Sequence, residues 1–315
     1  MRLALIGASS IAEKILPAIS GVTSFEIAGV SSQDETRGKI FGTRFGIPYL
    51  GHHDAALMNR SVKAAYISTT NETHERLVEL ALLSGKHVLC EKPLVLTKSA
   101  AIRLFGLANE RKLVLLEGFV YRFHPQIVEM LRRIQSGSYG RVKRIHASFS
   151  FDYGESEHVM RRLNGGGGAL PDLGSYLIDF MNLVSGGAEV QSVRHTEELT
   201  PRAFAVAVQL SNGVVAHLRG SMDLPSINTW EVICERGSLS VDRYNPHESA
   251  ESVLRVVDDE SRLTAFTIAS DGTGMEQFVA EFENFLSVIR GDASPFITAE
   301  QSIRNARVLE RIGSD

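Results

Sequence analysis

Up to about residue 121, the chain alternates short apolar runs with longer segments in which apolar residues recur at helical spacing. The apolar runs predict strands at 2–6, 25–30, 63–68, 86–90 and 114–117. The periodic segments predict helices at 11–19, 75–84 and 98–111. Strands that are joined through helices are typical of a parallel sheet with helices on its faces, so we predict a doubly wound α/β domain at 1–121.

The pattern changes beyond residue 121, where a predicted helix at 125–136 is followed by segments with strand-like alternation. The predicted strands are 142–151, 203–210, 214–221, 229–234 and 239–241. A turn signal at Ser211-Asn212-Gly213 favours antiparallel pairing. We therefore predict a second domain at 122–315 with a mostly antiparallel sheet. The segments 275–290 and 298–312 predict helices that can pack against either domain.

Composition narrows the class of protein without naming its activity. The 315 residues are 43% hydrophobic and 22% charged, with a net charge of −4, which argues against a nucleic-acid partner and favours a small-molecule one. Cys90 and Cys234 form no pair spaced for zinc or redox chemistry, so we predict no metal site and a reducing cytoplasm. The first apolar run is too short for a signal peptide, and no run approaches the roughly 18 apolar residues of a membrane span, so no membrane contact is predicted.

The chemistry-bearing motif with the fewest structural explanations is Glu91-Lys92, which ends the predicted strand at 86–90 and precedes Pro93. Proline forbids a helix from continuing there, so the pair lies at the carboxyl end of a strand. In an open parallel sheet, ligands bind at that edge. The alternative is a solvated surface ion pair.

A glycine motif connects the first strand to the first helix. Gly7 permits a tight turn, and Ala12 is small enough for close helix-to-strand packing, although the middle glycine of a dinucleotide fingerprint is missing. Ser9, Ser10 and Ile11 lie at the start of the helix, where N–H groups and the helix dipole favour a pyrophosphate. An ordinary strand–turn–helix is the alternative.

The tip of the second strand bears on the choice of cofactor. It carries Ser31 and Ser32 instead of a carboxylate, and Arg37 follows at a distance from which a guanidinium can pair with a 2′-phosphate. NADP is therefore the preferred cofactor. Asp34 and Glu35 leave NAD open, because either can accept a ribose hydroxyl, and all three charges can also form a solvated loop.

Polar residues also follow the strand at 63–68, where the chain enters the next helix. Asn71 and His74 lie on the crevice side of that junction and can hydrogen-bond a cofactor, together with Thr69 and Thr70. Thr73 is explained equally well as a helix cap.

Four stretches carry a family resemblance: Gly7-Ala8-Ser9-Ser10-Ile11-Ala12, Thr69-Thr70-Asn71-Glu72-Thr73-His74, Gly85-Lys86-His87-Val88-Leu89-Cys90-Glu91-Lys92-Pro93 and Asp172-Leu173-Gly174-Ser175-Tyr176. Together they resemble the glucose-fructose oxidoreductase and inositol dehydrogenase (Gfo/Idh/MocA) family. The resemblance implies an N-terminal Rossmann domain and a C-terminal α/β domain with a large open sheet that forms the interface of a homodimer or homotetramer. It also implies an NAD(P)-dependent sugar or polyol oxidoreductase.

The resemblance also implies roles for single residues. Lys92 is similar to a family lysine that contacts substrate oxygen and nicotinamide ribose, and Glu91 is similar to a cofactor-side residue. Tyr176 resembles the sugar 3-ketoreductase and dihydrodiol or xylose dehydrogenase branch, because inositol dehydrogenase-like members have histidine there. The stretch 117–126 also resembles that branch, and Arg122 within it is a candidate substrate contact.

The predicted chemistry is hydride transfer at a carbonyl or hydroxyl carbon, which also requires a proton donor or acceptor. Tyr176 can exchange that proton, and a nearby ammonium such as Lys92 would lower the phenol pKa from about 10 and polarise the carbonyl. Asp172 lies four residues before Tyr176 on a predicted helix at 170–184, on the same face, and can orient Lys92 or a sugar hydroxyl. The alternative for Asp172 is a helix cap. Arg161 and Arg162 are candidates for binding phosphate, and a solvated basic pair explains them equally well.

The resulting hypothesis is an NADP-preferring sugar ketoreductase or dehydrogenase, with a nucleotide-linked 3-keto sugar as a candidate substrate. A free aldose or trans-dihydrodiol dehydrogenase is the alternative enzyme. A non-catalytic NAD(P)-binding regulator is the alternative from another class, and the presence of both Lys92 and Tyr176 argues against it.

Overall fold

The computed structural model describes residues 1–22, 24–154, 163, 165–242, 251–269 and 274–314. The chain divides into two compact units. The first comprises Met1–Phe119 and Phe278–Ile303, and the second comprises Val120–Gln277 and Arg304–Asp315. Each unit therefore combines a long continuous stretch with a short segment from near the C-terminus.

The first unit is built on a five-stranded sheet whose strands all pair in parallel. The strands, in the spatial order β2-β1-β3-β4-β5, are β1 (Arg2–Ile6), β2 (Glu26–Ser31), β3 (Ala64–Ile67), β4 (His87–Glu91) and β5 (Leu115–Gly118). Every residue of β3 is buried, as expected for a strand that is covered on both faces. The predicted parallel sheet is confirmed.

Helices follow the strands of the first unit: α1 (Ser10–Gly21), α2 (Glu35–Phe45), α3 (His53–Met58), α4 (Asn71–Leu83) and α5 (Lys98–Glu110). The sequence analysis did not predict α2 and α3. Helix α2 buries only Gly38, Phe41 and Gly42, so it has hardly any apolar periodicity. Helix α3 is only six residues long.

The second unit contains an eight-stranded sheet in the order β13-β12-β11-β10-β6-β9-β8-β7. All its pairs are antiparallel except the parallel pair of β6 and β9, so the predicted mostly antiparallel sheet is confirmed. The strands are β6 (Val142–Ser150), β7 (Val190–His195), β8 (Ala203–Leu210), β9 (Val215–Ser221), β10 (Ile227–Cys234), β11 (Gly237–Asp242), β12 (Glu251–Asp258) and β13 (Leu263–Ala269).

The two faces of this sheet differ in what covers them. Helix α6 (Pro125–Gln135) packs against β11, β12 and β13, and helix α7 (Ser175–Val184) packs against β6 and β9. Apolar side chains such as Trp230 are buried on that side. On the opposite side, Arg144, His146, His217 and Arg219 are exposed. Period-two alternation thus produces one covered face and one open face.

One wide π-helical turn, Leu170–Gly174, precedes α7. The prediction of a single α-helix over 170–184 is therefore wrong in its first turn. Pro171 lies at the start of this turn, where its missing N–H costs no intrahelical hydrogen bond. None of the helices in the described ranges is long and apolar enough to cross a membrane.

Two helices close the chain, α8 (Glu276–Arg290) and α9 (Ala299–Ser314). Helix α8 belongs to the first unit from Phe278 onward, although it lies within the predicted domain boundaries of 122–315; the sequence left open which domain it packs against. Its phenylalanines explain this, because Phe282 contacts Phe25 and Tyr66 at ring-centroid distances of 6.2 and 5.4 Å. Phe285 stacks on Phe25 at 6.1 Å.

Candidate functional site

The turn between β1 and α1 brings the backbone of Gly7 close to the neighbouring strand. Gly7 has a φ of +115°, and a Cβ atom there would lie 3.0 Å from the Ser68 carbonyl oxygen, so a side chain would be both strained and crowded. Because Gly7 has none, the chain turns sharply and brings the start of α1 to the carboxyl edge of the parallel sheet.

Helix α1 begins with a side-chain cap. The Ser9 hydroxyl accepts a hydrogen bond from the Ala12 N–H at 3.1 Å and pairs with the Ser68 hydroxyl at 2.8 Å. Ala12 is buried, while Ser10 and Ile11 are more accessible in the first turn. The structure therefore brings the predicted fingerprint residues together at a helix N-terminus, where backbone N–H groups and the helix dipole fit a pyrophosphate.

At the end of β2, two serines take structural bonds. The Ser31 hydroxyl donates to the Leu5 carbonyl at 3.3 Å and lies 2.9 Å from His53 Nδ1. The Ser32 hydroxyl accepts from the Asp34 N–H at 3.2 Å. His53, which sequence reasoning missed, comes from α3. Burial, with a further contribution from Arg76, lowers the pKa of His53 to about 4, so the ring is neutral near pH 7.

The charges that follow β2 have separate positions. The Asp34 carboxylate accepts the Arg37 N–H at 3.0 Å and caps α2. Glu35 pairs with Lys39 at 2.6 Å on the solvent side of the helix. The side chain of Arg37 is exposed in the first turn. Asp34 and Glu35, which left NAD open, thus both have partners within α2. This favours Arg37 as the residue that faces a ligand.

The residues after β3 form a compact bonded cluster. The Thr73 hydroxyl lies 2.7 Å from the Thr69 hydroxyl and donates to the Thr70 carbonyl at 2.8 Å. His74 is fully buried, with Nδ1 2.9 Å from the Pro93 carbonyl oxygen and Nε2 3.3 Å from that of Thr69. His74 thus connects this loop to Pro93, and its enclosure favours a bridging position over a cofactor contact. Asn71 is the first residue of α4 and is partly exposed.

The Glu91-Lys92 motif lies at the end of β4, as predicted, and both side chains are half-buried. Glu91 accepts a 2.6 Å hydrogen bond from the Tyr66 hydroxyl on β3. Burial, followed by the charge of Glu91, raises the pKa of Tyr66 well above 10, so the phenol keeps the proton that it donates. On the other side, Glu117 of β5 accepts the Leu94 N–H at 2.9 Å.

A further carboxyl group near this motif comes from α8. Glu281 is buried, and burial followed by the nearby Glu91 charge raises its pKa well above 4.5, which favours the neutral acid. Sequence reasoning missed Glu281 because it is separated from Glu91 by most of the chain. The possible signal is a glutamate on the phenylalanine-rich face of an amphipathic helix.

In the second unit, Tyr176 is partly exposed on the first turn of α7. Its ring meets Tyr121 edge-to-face at 5.8 Å and 74°, and Phe149 at 5.6 Å and 79°. Two rings therefore fix the direction of the phenol without enclosing it completely.

Asp172 is buried in the π-helical turn, where its carboxylate accepts the Gly168 N–H at 3.2 Å. The Asp172 N–H donates to the Gly168 carbonyl at 2.8 Å. Gly168 has a φ of +135°, and a Cβ atom there would lie 2.8 Å from the Pro201 carbonyl oxygen. Asp172 thus fastens the run of four glycines at 165–168 to the helix start, which agrees with the alternative of a capping residue.

Arg122 was a predicted substrate contact, but the structure places its guanidinium in the core of the second unit. The residue is 1% exposed, and Nε and Nη2 donate to the two carboxylate oxygens of Asp179 at 2.8 and 2.5 Å. Burial alone would lower the pKa of Arg122, but Asp179 outweighs it and raises the pKa. The guanidinium is therefore committed to Asp179. Arg161 and Arg162 lie outside the described residues.

The chain matches two family models in succession. Residues 1–119 match the oxidoreductase family with an NAD-binding Rossmann fold, and residues 127–240 match the GFO/IDH/MocA C-terminal domain. The chain belongs to the GFO/IDH/MocA family. The predicted family, its Rossmann domain and its oxidoreductase class are thereby confirmed.

Relatives within this family act on sugars. The dTDP-3,4-didehydro-2,6-dideoxy-alpha-D-glucose 3-reductase of Streptomyces antibioticus is 30% identical, over 99% of this chain and 96% of the relative. The D-xylose 1-dehydrogenase (NADP(+)) 2 of Haloferax volcanii is 25% identical, over 99% and 96%.

Among solved structures, the 3-ketoreductase KijD10 of Actinomadura kijaniata, in complex with NADP and TDP-benzene, has a TM-score of 0.89 and 26% identity. The match covers 100% of this chain and 97% of KijD10. Solved structures of KijD10 also include variants in which one tyrosine is replaced by phenylalanine or one lysine by alanine or glutamate.

Proposed function

We propose that this member of the GFO/IDH/MocA family is an NADP-preferring sugar oxidoreductase that interconverts a nucleotide-linked 3-keto sugar and its alcohol. The observation that carries the proposal is the phenol of Tyr176, partly exposed between the rings of Tyr121 and Phe149. A regulator without turnover needs no such oriented proton donor.

The variants of KijD10 support Lys92 and Tyr176 as the catalytic pair. The lysine and the tyrosine replaced in its solved variants are separated along the chain by the same number of positions as Lys92 and Tyr176. Tyr176 carries the proton to or from the substrate oxygen. Lys92 stabilises the negative charge that develops on that oxygen. Asp172 supports Tyr176 by fastening the glycine run beside the start of its helix.

The cofactor is proposed to be NADP(H), with NAD(H) as the weaker alternative. When bound, its nicotinamide supplies or accepts the hydride. Gly7, Ser9, Ser10, Ile11 and Ala12 fit the pyrophosphate. The residues proposed for the rest of the dinucleotide are Arg37 at the adenosine ribose, beside the bonded Ser31 and Ser32, and Thr69, Thr70, Asn71, Glu91 and Lys92 toward the nicotinamide. His74 supports these residues by connecting their loop to Pro93.

The substrate is tested first by a screen. The purified protein is mixed with NADPH and a dTDP-linked 3-keto sugar, and separately with NADP⁺ and D-xylose or a trans-dihydrodiol, while absorbance of the reduced nicotinamide is followed. The xylose and trans-1,2-dihydrobenzene-1,2-diol dehydrogenases among the relatives motivate the second arm. Turnover only in that arm would favour the alternative enzyme, and turnover in neither would contradict the proposal.

The catalytic pair is tested by single-turnover hydride transfer. We expect Tyr176→Phe and Lys92→Ala each to slow the step by about 100-fold or more, because each removes proton transfer or charge stabilisation. NADPH affinity, measured separately by fluorescence, should stay close to wild type in Tyr176→Phe. Near-normal rates in both variants would show that the catalytic assignment is wrong.

We further propose a cytoplasmic homodimer or homotetramer. The open face of the eight-stranded sheet, with small side chains such as Ala207 and Ser148 between charged ones, is a flat surface of the kind that two copies can share. Cys90 and Cys234 are both free thiols, which is consistent with a reducing compartment. Cell fractionation tests the location.

A further inference from the structure

Asp179 is a fully buried carboxylate on α7, one turn after Tyr176. Its Oδ2 atom accepts from the Tyr121 hydroxyl at 2.5 Å and from Arg122 Nε at 2.8 Å. Its Oδ1 atom accepts from Arg122 Nη2 and from Asn305 Nδ2, both at 2.5 Å. Four donor atoms, from three residues in two separate parts of the second unit, therefore converge on one carboxylate.

These donors do different work. A buried carboxylate needs an opposite charge, and Arg122 supplies it through a bidentate pair. The Tyr121 and Asn305 bonds add no charge, so their effect is to fix the direction of the groups that make them. Burial, followed by the charge of Asp179, raises the pKa of Tyr121 well above 10, so Tyr121 keeps its proton and donates it to Asp179 throughout the neutral range.

The ring of Tyr121 connects Asp179 to Tyr176, the proposed proton donor. One contact is the edge-to-face packing with Tyr176, at 5.8 Å, and another is with Trp230, at 5.1 Å and 65°. The Trp230 indole N–H donates to Asn228 Oδ1 at 2.8 Å, which fixes that ring in turn. Tyr121 is therefore held at its hydroxyl by Asp179 and at its ring by Trp230, and it presents a fixed surface to Tyr176.

We propose that Asp179 is a positioning residue for Tyr176 and acts through the ring of Tyr121. The inference rests on the proposed role of Tyr176 as the proton donor. A proton donor that is displaced by a fraction of an ångström transfers its proton more slowly, although substrate and cofactor still bind. The contacts with Asp179 should therefore affect the hydride-transfer rate and leave both affinities unchanged.

The test uses Tyr121→Phe, which removes the bond to Asp179 and keeps the ring. Asp179 itself is left in place, because replacing it would strand the Arg122 charge in the core. Single-turnover rates with NADPH and the dTDP-linked 3-keto sugar are measured for wild type, Tyr121→Phe, Tyr176→Phe and the double variant. Tyr139→Phe, a partly exposed tyrosine of the same unit, is the matched control and should behave as wild type.

We expect Tyr121→Phe to slow hydride transfer by about tenfold, with KM and NADPH affinity unchanged. In the Tyr176→Phe background, the same substitution should cause no further loss, because the group that it positions is already gone. Asn305→Ala removes another hydrogen bond to the Asp179 carboxylate. It should cause a smaller loss of the hydride-transfer rate that likewise depends on Tyr176.

A normal rate in Tyr121→Phe overturns the inference, and so does an equal loss in both backgrounds, since a general weakening of the fold would act without Tyr176. If Tyr121→Phe does not fold, the Asn305→Ala cycle decides in the same way. A wild-type rate in the Tyr176→Phe single variant overturns both the proposed function and this inference. Failure of the inference alone leaves the rate of Tyr176→Phe reduced, so the two failures can be distinguished.

Discussion

Single side chains at the ends of strands carry much of the chemistry of the first unit. The 2.6 Å bond from Tyr66 to Glu91 joins β3 and β4 immediately before Lys92. Because the pKa of Tyr66 lies well above 10, this bond has a fixed donor and a fixed acceptor. Glu91, the residue before Lys92, is thereby oriented by its neighbour on the sheet.

Arg37 carries a prediction about cofactor choice. We expect Arg37→Ala to weaken NADPH binding by about tenfold or more while NADH binding stays the same, because only NADPH carries the 2′-phosphate that the guanidinium pairs with. The measurement is a fluorescence titration with each cofactor. Lys39→Ala is the matched control, since it removes one positive charge from the same exposed helix. Equal losses for both cofactors, or none, would contradict the 2′-phosphate assignment.

His124 carries a prediction about acid stability. Burial lowers its pKa to about 4, and its Nδ1 accepts the Gln126 N–H at the start of α6. As pH falls below about 6.5, His124 of the unfolded chain becomes protonated, whereas the buried ring of the folded protein stays neutral until about pH 4. The stabilising effect is therefore complete above pH 6.5 and declines across that window, by about 2 kcal/mol between pH 6.5 and 5.

This decline can be followed by urea unfolding at pH 7 and pH 5, detected through the fluorescence of Trp230, the single tryptophan, which lies in the same unit. His124→Asn keeps a residue that can cap α6 and removes the titration, so its acid loss should be smaller. His52→Asn, at an exposed histidine, is the control. An identical pH dependence in all three proteins would show that His124 is not the source.

At the scale of elements, helix α8 completes the core of the sheet that it packs against. Phe278, Phe282 and Phe285 are buried on one side of the helix. Phe282 lies against Phe25 and Tyr66, so the same side chain that fills the core also supports the tyrosine bonded to Glu91. A C-terminal helix is thus part of the support for a motif near residue 91.

Helix α8 therefore gives a stability prediction. We expect Phe282→Ala to lower the free energy of unfolding by about 4 kcal/mol, the cost of a large cavity in a packed core. Phe296→Ala is the matched control, because that ring is 41% exposed, and its loss should stay below about 1 kcal/mol. Thermal and urea unfolding followed by circular dichroism measure both. Equal losses would show that Phe282 is not part of the core.

Elements with a regular pattern of buried apolar residues could be predicted from the sequence. Exposed strands of the same sheet could not. The strand that ends at Glu91 and the strands β8 and β9 could be recognised because their buried residues are consecutive or alternate cleanly. Strands β7 and β13 lie at the two edges of their sheet and are largely exposed, so they lack that signal.

The site shows the same division. Lys92 and Tyr176 could be named because each stands in a local motif. Asp179, Glu281 and His53 could not, since their interactions depend on partners that are distant in the sequence and meet only in the fold. Asp179 has one local signal, as the single charged residue of an otherwise uncharged helix.

At the scale of the whole molecule, the open face of the eight-stranded sheet is a continuous surface. In register across its centre lie Arg194, Ala207, His217, His146 and Glu231, a row that runs from one edge strand to the middle of the sheet. Ala207 is a small residue between two basic ones. Its small side chain allows a second copy of the chain to approach closely at this position.

We therefore expect Ala207→Arg to dissociate the proposed oligomer, because it adds a positive charge opposite Arg194 and a long side chain to a shared surface. Sedimentation equilibrium of the wild type and the variant measures the subunit number. Ala293→Arg, on an exposed segment of the first unit, is the control for the substitution itself. A monomeric wild type would contradict the oligomer proposal, and an oligomeric Ala207→Arg variant would exclude this face as its interface.

The division of the chain also has a consequence for its synthesis. Phe278–Ile303 belongs to the same unit as Met1–Phe119, so the ribosome makes the beginning of that unit long before its end. Until α8 leaves the exit tunnel, the apolar surface around Phe25 and Tyr66 has no permanent cover. Most of the second unit is synthesised by then, so we expect the N-terminal unit to become fully protected from proteases only after residues 278–303 have been added.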